Sequence, residues 1–163
     1  MPEKEKETPY TLVLDMDETL IHYNERNKGD PLLIRPYCQE FLAEMSKHYE
    51  IVIFTAAVQE YADEILDKID EKGFISHRLY REHTRLEDYV SVKDLSLLNR
   101  DLSKCVIIDN IASNFKVQPR NGIAISTWTG DTEDISLLNL IPVMMKLALE
   151  EVQDVREGLE LLS

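Results

Sequence analysis

The stretch YTLVLDMDETL, from Tyr10 to Leu20, sets a cluster of acidic side chains directly after a run of apolar and β-branched residues. A run that is apolar at nearly every position is typical of a strand covered on both faces, as in a parallel sheet. Asp15 and Asp17 then lie where that strand ends and the chain turns away. Like charges at the end of a buried strand repel one another, so this stretch favours a nearby cation.

Three further runs have the same character, and helical patterns separate them. We predict strands over 50–55 (EIVIFT), 104–109 (KCVIID) and 122–126. We also predict one helix that begins at Pro36 and a second helix over 58–73. Strands alternating with helices predict an α/β sandwich with a central parallel sheet. In such sheets the ligand site lies beyond the carboxyl ends of the strands, so the residues there are the candidates for function.

Length and composition fit one domain. The chain has 163 residues, 44% of them hydrophobic, which is enough for one compact core and too little for two ordinary domains. Residues 1–8 are charged and lack apolar periodicity. We therefore expect a disordered tail over 1–8 and a single domain over 9–163.

The charge balance limits the class of partner. With 18 Lys and Arg against 31 Asp and Glu, the formal net charge is -13, which repels nucleic acid and anionic membrane surfaces. We expect no nucleic acid partner. Because the same field repels a phosphorylated substrate, phosphate chemistry would need local positive charge or a bound cation.

Cysteine usage and hydropathy bear on the compartment. Cys38 and Cys105 indicate a reduced intracellular protein rather than a disulfide-stapled one, and neither is followed by the arginine of a Cys-x5-Arg phosphate loop. No stretch reaches the roughly 18 to 20 apolar residues of a membrane span, and MPEKEKET is not a signal peptide. We expect a nuclear or cytoplasmic protein without direct membrane insertion.

Polar groups that suit phosphate chemistry lie at or near the ends of the predicted strands. Hard oxygen ligands suit Mg2+, which is usually held by one or two carboxylates together with substrate phosphate oxygens. The sequence therefore predicts a Mg2+ and phosphate site, with Asp15 and Asn110 as candidate metal ligands. In chain order the candidates are Asp15, Asp17, Thr55, Lys93, Asp109 and Asn110.

These residue types match the steps of phosphate ester hydrolysis. Asp15 could attack phosphorus and form an aspartyl-phosphate, which splits hydrolysis into two easier steps. Asp17 could protonate the leaving oxygen and later activate water, provided that its pKa is raised. Lys93 and the Thr55 hydroxyl could hold the phosphoryl oxygens.

Each candidate residue could also have a purely structural role. Asp15 and Asp17 could serve a turn or a helix cap, Thr55 could be an ordinary strand residue, and Lys93 a solvated surface lysine. A site is favoured because four separate segments each supply a group that one reaction needs.

Six segments resemble the motifs of a known family. They are VLDMDETLIH (13–22), RPYCQEFL (35–42), IVIFTAAVQEYAD (51–63), HRLYREH (77–83), VKDLSLLNRDL (92–102) and VIIDN (106–110). From about Tyr10 to the C-terminus the chain resembles the FCP/SCP-type protein phosphatases of the haloacid dehalogenase (HAD) superfamily. That group includes RNA polymerase II carboxy-terminal-domain phosphatases and Dullard-like, NLI-interacting-factor-like phosphatases.

The resemblance implies a HAD-like three-layer sandwich and a Mg2+-dependent protein serine/threonine phosphatase. It implies that Asp15 is the phosphorylated nucleophile and a metal ligand, that Asp17 is the general acid/base whose backbone carbonyl reaches the metal, and that Asn110 completes the metal ligands.

The same resemblance assigns the residues around the phosphate. Thr55 and Lys93 match its phosphate-binding threonine and lysine, and Asp109 matches a partner of the metal waters and the lysine. Arg81 lies where the family has an arginine on the substrate side.

Short connections predict an open site. Neither 23–34 nor 56–92 is long enough for the cap domain that covers the site of HAD enzymes acting on small metabolites, and an open site suits a phosphoprotein. We predict a short loop and one edge strand over 23–34. Polymerase-tail phosphatases carry a small extra strand unit there, so the short span argues against such a tail as substrate.

The C-terminal region offers a possible contact surface. After Asp134 we predict a short helix, then a longer helix with Pro142 near its start. An apolar stripe with four-three spacing follows, typical of a coiled-coil seam, which either packs on the domain's own sheet or binds a partner or a second copy. The stripe is Ala148, Val152, Val155, Leu159 and Leu162.

Two other functions stay open from the sequence. One is a small-molecule HAD phosphohydrolase with the same chemistry. The other is a catalytically idle protein-binding scaffold of the same fold.

Overall fold

The computed structural model describes residues 1, 2 and 8–162. The predicted tail over 1–8 falls largely on 3–7, which lie outside the described residues. The strands are Tyr10–Leu14 (β1), Ile21–Tyr23 (β2), Leu32–Ile34 (β3), Tyr49–Phe54 (β4), Ile75–Leu79 (β5), Arg85–Glu87 (β6), Val90–Val92 (β7), Cys105–Asp109 (β8) and Gly122–Ala124 (β9). The α-helices are Cys38–Met45 (α1), Gln59–Ile69 (α2), Ser136–Leu149 (α3) and Val155–Leu162 (α4).

Five parallel strands form the central sheet, in the order β5-β4-β1-β8-β9. Leu14, the last residue of β1, lies opposite Ile53 on one side and Ile108 on the other. The carboxyl ends of β4, β1 and β8 therefore meet at one edge. The four strands predicted from apolar runs are confirmed. The edge strand β5, whose sequence ISHRL is largely polar, was not predicted.

Two apolar clusters cover the two faces of the sheet. Leu12 and Leu14 face the first cluster, to which all four helices contribute, and Val13 between them faces the second. The second face is covered by short 3₁₀ turns at Leu95–Leu98 and Ala112–Phe115. The predicted α/β architecture with strands buried on both faces is confirmed, and its third layer consists of these turns rather than α-helices.

Two antiparallel hairpins project from the connections near the site. In the first, β2 pairs with β3 and sets Ile21 opposite Ile34. In the second, β6 pairs with β7. The prediction of one edge strand over 23–34 misses β2. Within the described residues, 56–92 holds α2, β5 and the second hairpin, so neither connection contains a separate cap domain.

The helical boundaries near the C-terminus differ from the prediction. Helix α3 runs through Pro142 without a break and buries Leu137, Met144 and Leu147 in the first cluster. Tyr49 Oη donates to the Met144 carbonyl at 2.7 Å. The prediction of a short helix ending before Pro142 is wrong, because burial on both sides of the proline outweighs its low helix propensity.

The predicted seam is interrupted by a turn. Helix α3 ends at Leu149, Glu151 has a left-handed φ of 50°, and α4 begins only at Val155. Tyr10 Oη (2.7 Å) and Lys104 Nζ (2.9 Å) both donate to the Val152 carbonyl and hold this turn against the sheet. The stripe thus packs mainly on its own domain, and Val155 is fully buried. The prediction of a continuous coiled-coil seam is therefore wrong.

Candidate active site

A tight loop follows β1 and returns Thr19 toward Asp15. The Met16 carbonyl accepts hydrogen bonds from three successive backbone N–H groups, those of Thr19, Leu20 and Ile21 (3.3, 2.9 and 3.3 Å). Glu18 adopts a left-handed φ of 63°. As a result, Thr19 Oγ1 donates to Asp15 Oδ2 at 2.9 Å and orients that carboxylate.

Lys93 lies between two carboxylates at the end of β7. Its Nζ donates to Asp15 Oδ1 at 2.7 Å and to Asp109 Oδ2 at 2.6 Å, and the side chains of Lys93 and Asp109 are fully buried. Burial alone lowers the pKa of Lys93, but the two carboxylates outweigh it and the pKa is raised. Burial raises the pKa of Asp15 to about 6, although Lys93 opposes the rise. Lys93 is therefore not a solvated surface lysine.

Asp109 is held by several donors besides the lysine. Its Oδ1 accepts from the Ile111 backbone N–H at 2.9 Å, and its Oδ2 accepts from Asn114 Nδ2 at 3.2 Å. A fully buried carboxylate with this many donors is fixed in place. It therefore aims the Lys93 ammonium at Asp15.

The side-chain amide of Asn110 lies beside Asp15. One terminal atom of the amide lies 2.9 Å from Asp15 Oδ2 and 3.3 Å from Asp109 Oδ1, and the other lies 3.2 Å from Thr127 Oγ1. With nitrogen nearest Asp15, the amide donates to both carboxylates. With oxygen there, three acceptor oxygens face one another, an arrangement that a cation stabilises.

The donor set around Asp15 fits a hard cation. Within 1–2 and 8–162 no group of three or more His, Cys, Asp or Glu side chains is arranged to hold a metal. An ion beside Asp15 would therefore be held by one or two carboxylates with amide and backbone oxygens. Such an all-oxygen set suits Mg2+.

Thr55 and Arg81 lie on the β4 side of the site. Buried Thr55 follows β4, and its Oγ1 accepts from the Ala57 N–H at 3.0 Å, so its hydroxyl hydrogen remains for another acceptor. The exposed Arg81 donates from Nε to the Ala56 carbonyl at 2.8 Å and from its backbone N–H to the Ala57 carbonyl at 2.9 Å. The arginine is thereby attached to the loop that begins at Thr55.

Asp17 lies in the loop after β1 and contacts helix α2 through Tyr61. Tyr61 Oη donates to Asp17 Oδ1 at 2.9 Å. Burial is the largest influence on the pKa of Asp17 and raises it, and the Tyr61 hydrogen bond opposes the shift. The direction is the one that a general acid needs.

The structure adds residues that the sequence reasoning missed. One is Tyr61, whose place on the apolar face of α2 gives no sign in the sequence of its contact with Asp17. Arg35 has a fully buried side chain and donates to the Thr19 carbonyl (3.2 Å), to Ser126 and to Asp134. An arginine directly after the apolar run Leu32–Ile34 carries no sequence signal of the loop it supports.

Residues 10–156 match the model of the family described as NLI interacting factor-like phosphatase. The chain belongs to this family. The resemblance to FCP/SCP-type phosphatases is thereby confirmed.

Three proteins are similar in sequence to this NLI interacting factor-like domain over 91% or more of its length. It is 42% identical to the mitochondrial import inner membrane translocase subunit TIM50 of Kluyveromyces lactis, over 91% of this chain and 31% of that protein. It is 40% identical to TIM50 of Homo sapiens, over 93% and 43%. It is 39% identical to CTD small phosphatase-like protein 2 of Dictyostelium discoideum, over 96% and 30%. The chain thus spans less than half the length of these relatives.

Solved structures share the fold. The RNA polymerase II CTD phosphatase Fcp1 superposes with a TM-score of 0.61 at 20% identity, over 93% of this chain and 52% of that chain. A haloacid dehalogenase-like family hydrolase from Xanthomonas campestris has a TM-score of 0.59 at 12% identity, over 88% and 98%. At these identities the likeness shows the HAD-like fold alone.

One expectation from the sequence is wrong. The relatives at 40% and 42% identity are named as subunits of a mitochondrial inner membrane translocase, which contradicts a nuclear or cytoplasmic assignment. Among the helices of 8–162, none combines the length and apolarity needed to cross a membrane.

Proposed function

We propose that this NLI interacting factor-like domain is a Mg2+-dependent phosphatase of phosphoserine and phosphothreonine in proteins. The observation that carries the proposal is the buried ion pair of Lys93 with Asp15, beside the Asn110 amide, at the edge of the sheet where Thr55 follows β4. We propose that residues 9–163 form the single domain that carries this activity.

Asp15 is the nucleophile of the first step. One of its carboxylate oxygens attacks phosphorus, the bond from phosphorus to the ester oxygen breaks, and the proton of Asp17 passes to the departing oxygen. Lys93 and Thr55 bind the phosphoryl oxygens as negative charge builds on them. The buried position of Lys93 strengthens its attraction to those oxygens.

Asp17 acts in the opposite sense in the second step. A water molecule attacks the phosphorus of the aspartyl-phosphate and gives one proton to the Asp17 carboxylate. The bond from phosphorus to Asp15 breaks, which releases inorganic phosphate and regenerates the enzyme. The raised pKa of Asp17 suits it to hold the proton between the two steps.

Asp15, Asn110 and the backbone carbonyl of Asp17 would hold the metal. When bound, Mg2+ would offset the charge of the phosphate dianion beside Asp15 in a protein of formal net charge -13. The Asn110 amide lies close enough to Asp15 to turn its oxygen toward a bound cation, whereas without a cation its nitrogen can donate to Asp15 and Asp109.

The surroundings of the site favour a protein substrate. The described connections around it hold the two hairpins, α2 and β5, which leaves less burial for a lone metabolite than a cap domain gives. Arg81 is exposed beside the Thr55 loop, where it can meet a second anionic group of a bound phosphopeptide.

Hydrolysis of p-nitrophenyl phosphate and a phosphopeptide array, with Mg2+ and with EDTA, tests this function. We expect phosphate release that depends on Mg2+ and that Asp15→Asn lowers by about 10³-fold or more. When catalytic groups act together, loss of one of them removes nearly all of the activity. Asp88→Asn, on an exposed hairpin turn, makes the same chemical change away from the site and should retain activity. Full turnover by Asp15→Asn excludes Asp15 as nucleophile.

The substrate class has its own test. If a panel of phosphorylated metabolites gives higher kcat/KM than the phosphopeptides, the small-molecule phosphohydrolase replaces the protein phosphatase.

The names of the relatives favour a second candidate function. The chain would act in mitochondria as a protein-binding subunit of an import translocase, with the site idle or secondary. Complementation of cells that lack the protein separates the two roles. Rescue by Asp15→Asn, together with failure of Leu161→Asp, supports the binding role, because Leu161 on α4 is 88% exposed and its change leaves the site intact. The reverse pattern supports catalysis.

A further inference from the structure

We propose that Tyr61 is a positioning residue that determines which oxygen of Asp17 carries the proton given to the leaving group. This inference rests on the proposed function and deepens it. It makes efficient cleavage of alkyl phosphates, the esters formed by serine and threonine, depend on a residue outside the strand-end motifs.

The geometry places a single donor on one side of Asp17. Tyr61 Oη lies 2.9 Å from Asp17 Oδ1, and no partner of Asp17 Oδ2 occurs among the described residues. A phenol titrates near pH 10 in water, so at neutral pH it is a hydrogen-bond donor. The two oxygens of Asp17 are therefore chemically distinct before substrate arrives.

A neutral carboxyl group has one protonated and one unprotonated oxygen. Because Oδ1 must accept the Tyr61 hydrogen bond, the proton of the acid lies on Oδ2. Without that bond the proton can occupy either oxygen and the carboxyl group can rotate. Only the arrangement with the proton facing the ester oxygen is productive.

Tyr61 is itself held from two sides. It is part of α2, whose apolar face packs in the first cluster beside Ile65 and Leu66. Its ring meets the ring of Tyr23 on β2 edge to face, with centroids 5.8 Å apart. Edge-to-face aromatic pairs favour one relative orientation, so the hydroxyl is kept on Asp17.

The leaving group determines how much this arrangement matters. As the bond from phosphorus to the ester oxygen breaks, the proton moves from Asp17 Oδ2 to that oxygen, and the electron pair of the broken bond forms the new O–H bond. A serine alkoxide is a strong base that departs poorly without the proton, whereas p-nitrophenolate is stable and departs without it. A positioning role for Tyr61 therefore predicts a selective loss.

Tyr61→Phe is the decisive variant, and Tyr80→Phe is its matched control. Tyr80 Oη donates to Asp63 Oδ1 at 2.6 Å, so the control removes a phenol–carboxylate bond that involves the same helix and does not touch Asp17. We expect Tyr61→Phe to lower kcat/KM for a phosphoserine peptide by about 10- to 100-fold. This loss is a part of the rate acceleration that a general acid usually contributes. We expect less than about a 3-fold change with p-nitrophenyl phosphate, and wild-type values for Tyr80→Phe.

A series of aryl phosphates with leaving groups of increasing basicity gives a second readout. The plot of log kcat/KM against leaving-group pKa should be steeper for Tyr61→Phe than for the wild type. A merely structural role shifts the whole plot without changing its slope. If Tyr61→Phe does not fold, as judged by its melting temperature, Tyr61→Met removes the donor with an adaptable side chain and must give the same slope.

The outcomes separate the inference from the function beneath it. A wild-type protein that hydrolyses neither substrate overturns the proposed function and this inference with it. An active wild type with equal losses on both substrates, or with no loss on the peptide, overturns the positioning role of Tyr61 alone.

Discussion

Lys93 Nζ donates to Asp15 Oδ1 at 2.7 Å, and this contact joins residues 78 positions apart in the chain. Asp15 follows the central strand β1, whereas Lys93 follows the hairpin of β6 and β7, which forms a two-stranded sheet of its own. The same ammonium reaches Asp109 on β8. One buried ammonium group therefore connects the segment after the hairpin to two strands and donates to two carboxylates at once.

Replacement of that cation should cost stability as well as activity. Lys93→Met leaves Asp15 and Asp109 buried without a cation, which we expect to lower the free energy of unfolding by about 3–5 kcal/mol. Urea unfolding in EDTA at neutral pH measures it. Lys47→Met, which removes a largely exposed lysine that pairs with Glu44, should leave stability unchanged. Equal losses in the two variants would exclude a structural role for the buried pair.

Metal binding should be visible without any turnover. Ligands that bind only the folded state stabilise it, by about 2.7 kcal/mol at a hundred times the dissociation constant. We expect Mg2+ to raise the melting temperature of the wild type, and Asp15→Asn to reduce that rise. Glu157→Gln, an exposed acid on α4, should keep it. A rise of the same size in Asp15→Asn would locate the metal elsewhere.

Arg35 and Asp134 predict a pH dependence of stability. Arg35 donates to Asp134 from Nε at 2.7 Å and from Nη2 at 3.1 Å, and this interaction is the largest influence on the pKa of Asp134, which it lowers below the ordinary value of 3.8. The ion pair therefore stabilises the fold fully above the unfolded pKa, and that stability is lost as the pH falls through the folded pKa.

Asp134→Asn tests this pair. At pH 7 the variant leaves the buried Arg35 without its carboxylate, and we expect a loss of about 3 kcal/mol. The difference from the wild type should shrink as the pH falls below 3.8. Glu160→Gln alters the exposed pair with Arg120 and should show no such trend. A difference for Asp134→Asn that is constant across pH would contradict the assignment.

Gly122 has no room for a side chain. A Cβ atom built there overlaps the ring of Phe115, which is 5% exposed in the second apolar cluster. Gly122→Ala should lower the free energy of unfolding by about 1–3 kcal/mol through overpacking. Gly29→Ala, where nothing lies within 4 Å of the new atom, is the matched control and should be neutral. If Gly122→Ala changed the free energy of unfolding as little as Gly29→Ala, the packing around Gly122 would have relaxed to accept the new atom.

The sequence was most informative where the chain order itself determines geometry. Continuous apolar runs predicted parallel strands, and parallel strands bring their carboxyl ends to one edge. This relation alone brings Asp15, Thr55 and Asp109 together without any knowledge of side-chain contacts. The order of the strands did not predict that Lys93 is buried, because the sequence is equally compatible with a lysine exposed to solvent.

The failures share a physical cause, which is dependence on tertiary packing. Pro142 stays inside a helix because its neighbours are buried on both sides. Strand β5 forms from a largely polar segment because it needs only one neighbour, β4. Tyr61 fits the apolar stripe of α2 at its ring and reaches Asp17 with its hydroxyl, and no spacing rule connects two residues 44 positions apart.

The three strands that end at or directly before Asp15, Thr55 and Asp109 are all interior strands of the sheet, each hydrogen-bonded along both edges. Backbone amides in such strands exchange with solvent deuterium only when a large unit of the protein opens. Opening of the edge strands β5 and β9, or of the hairpin tips, leaves β1 paired. We therefore expect Asp15, Thr55 and Asp109 to be carried by the part of the backbone that exchanges most slowly.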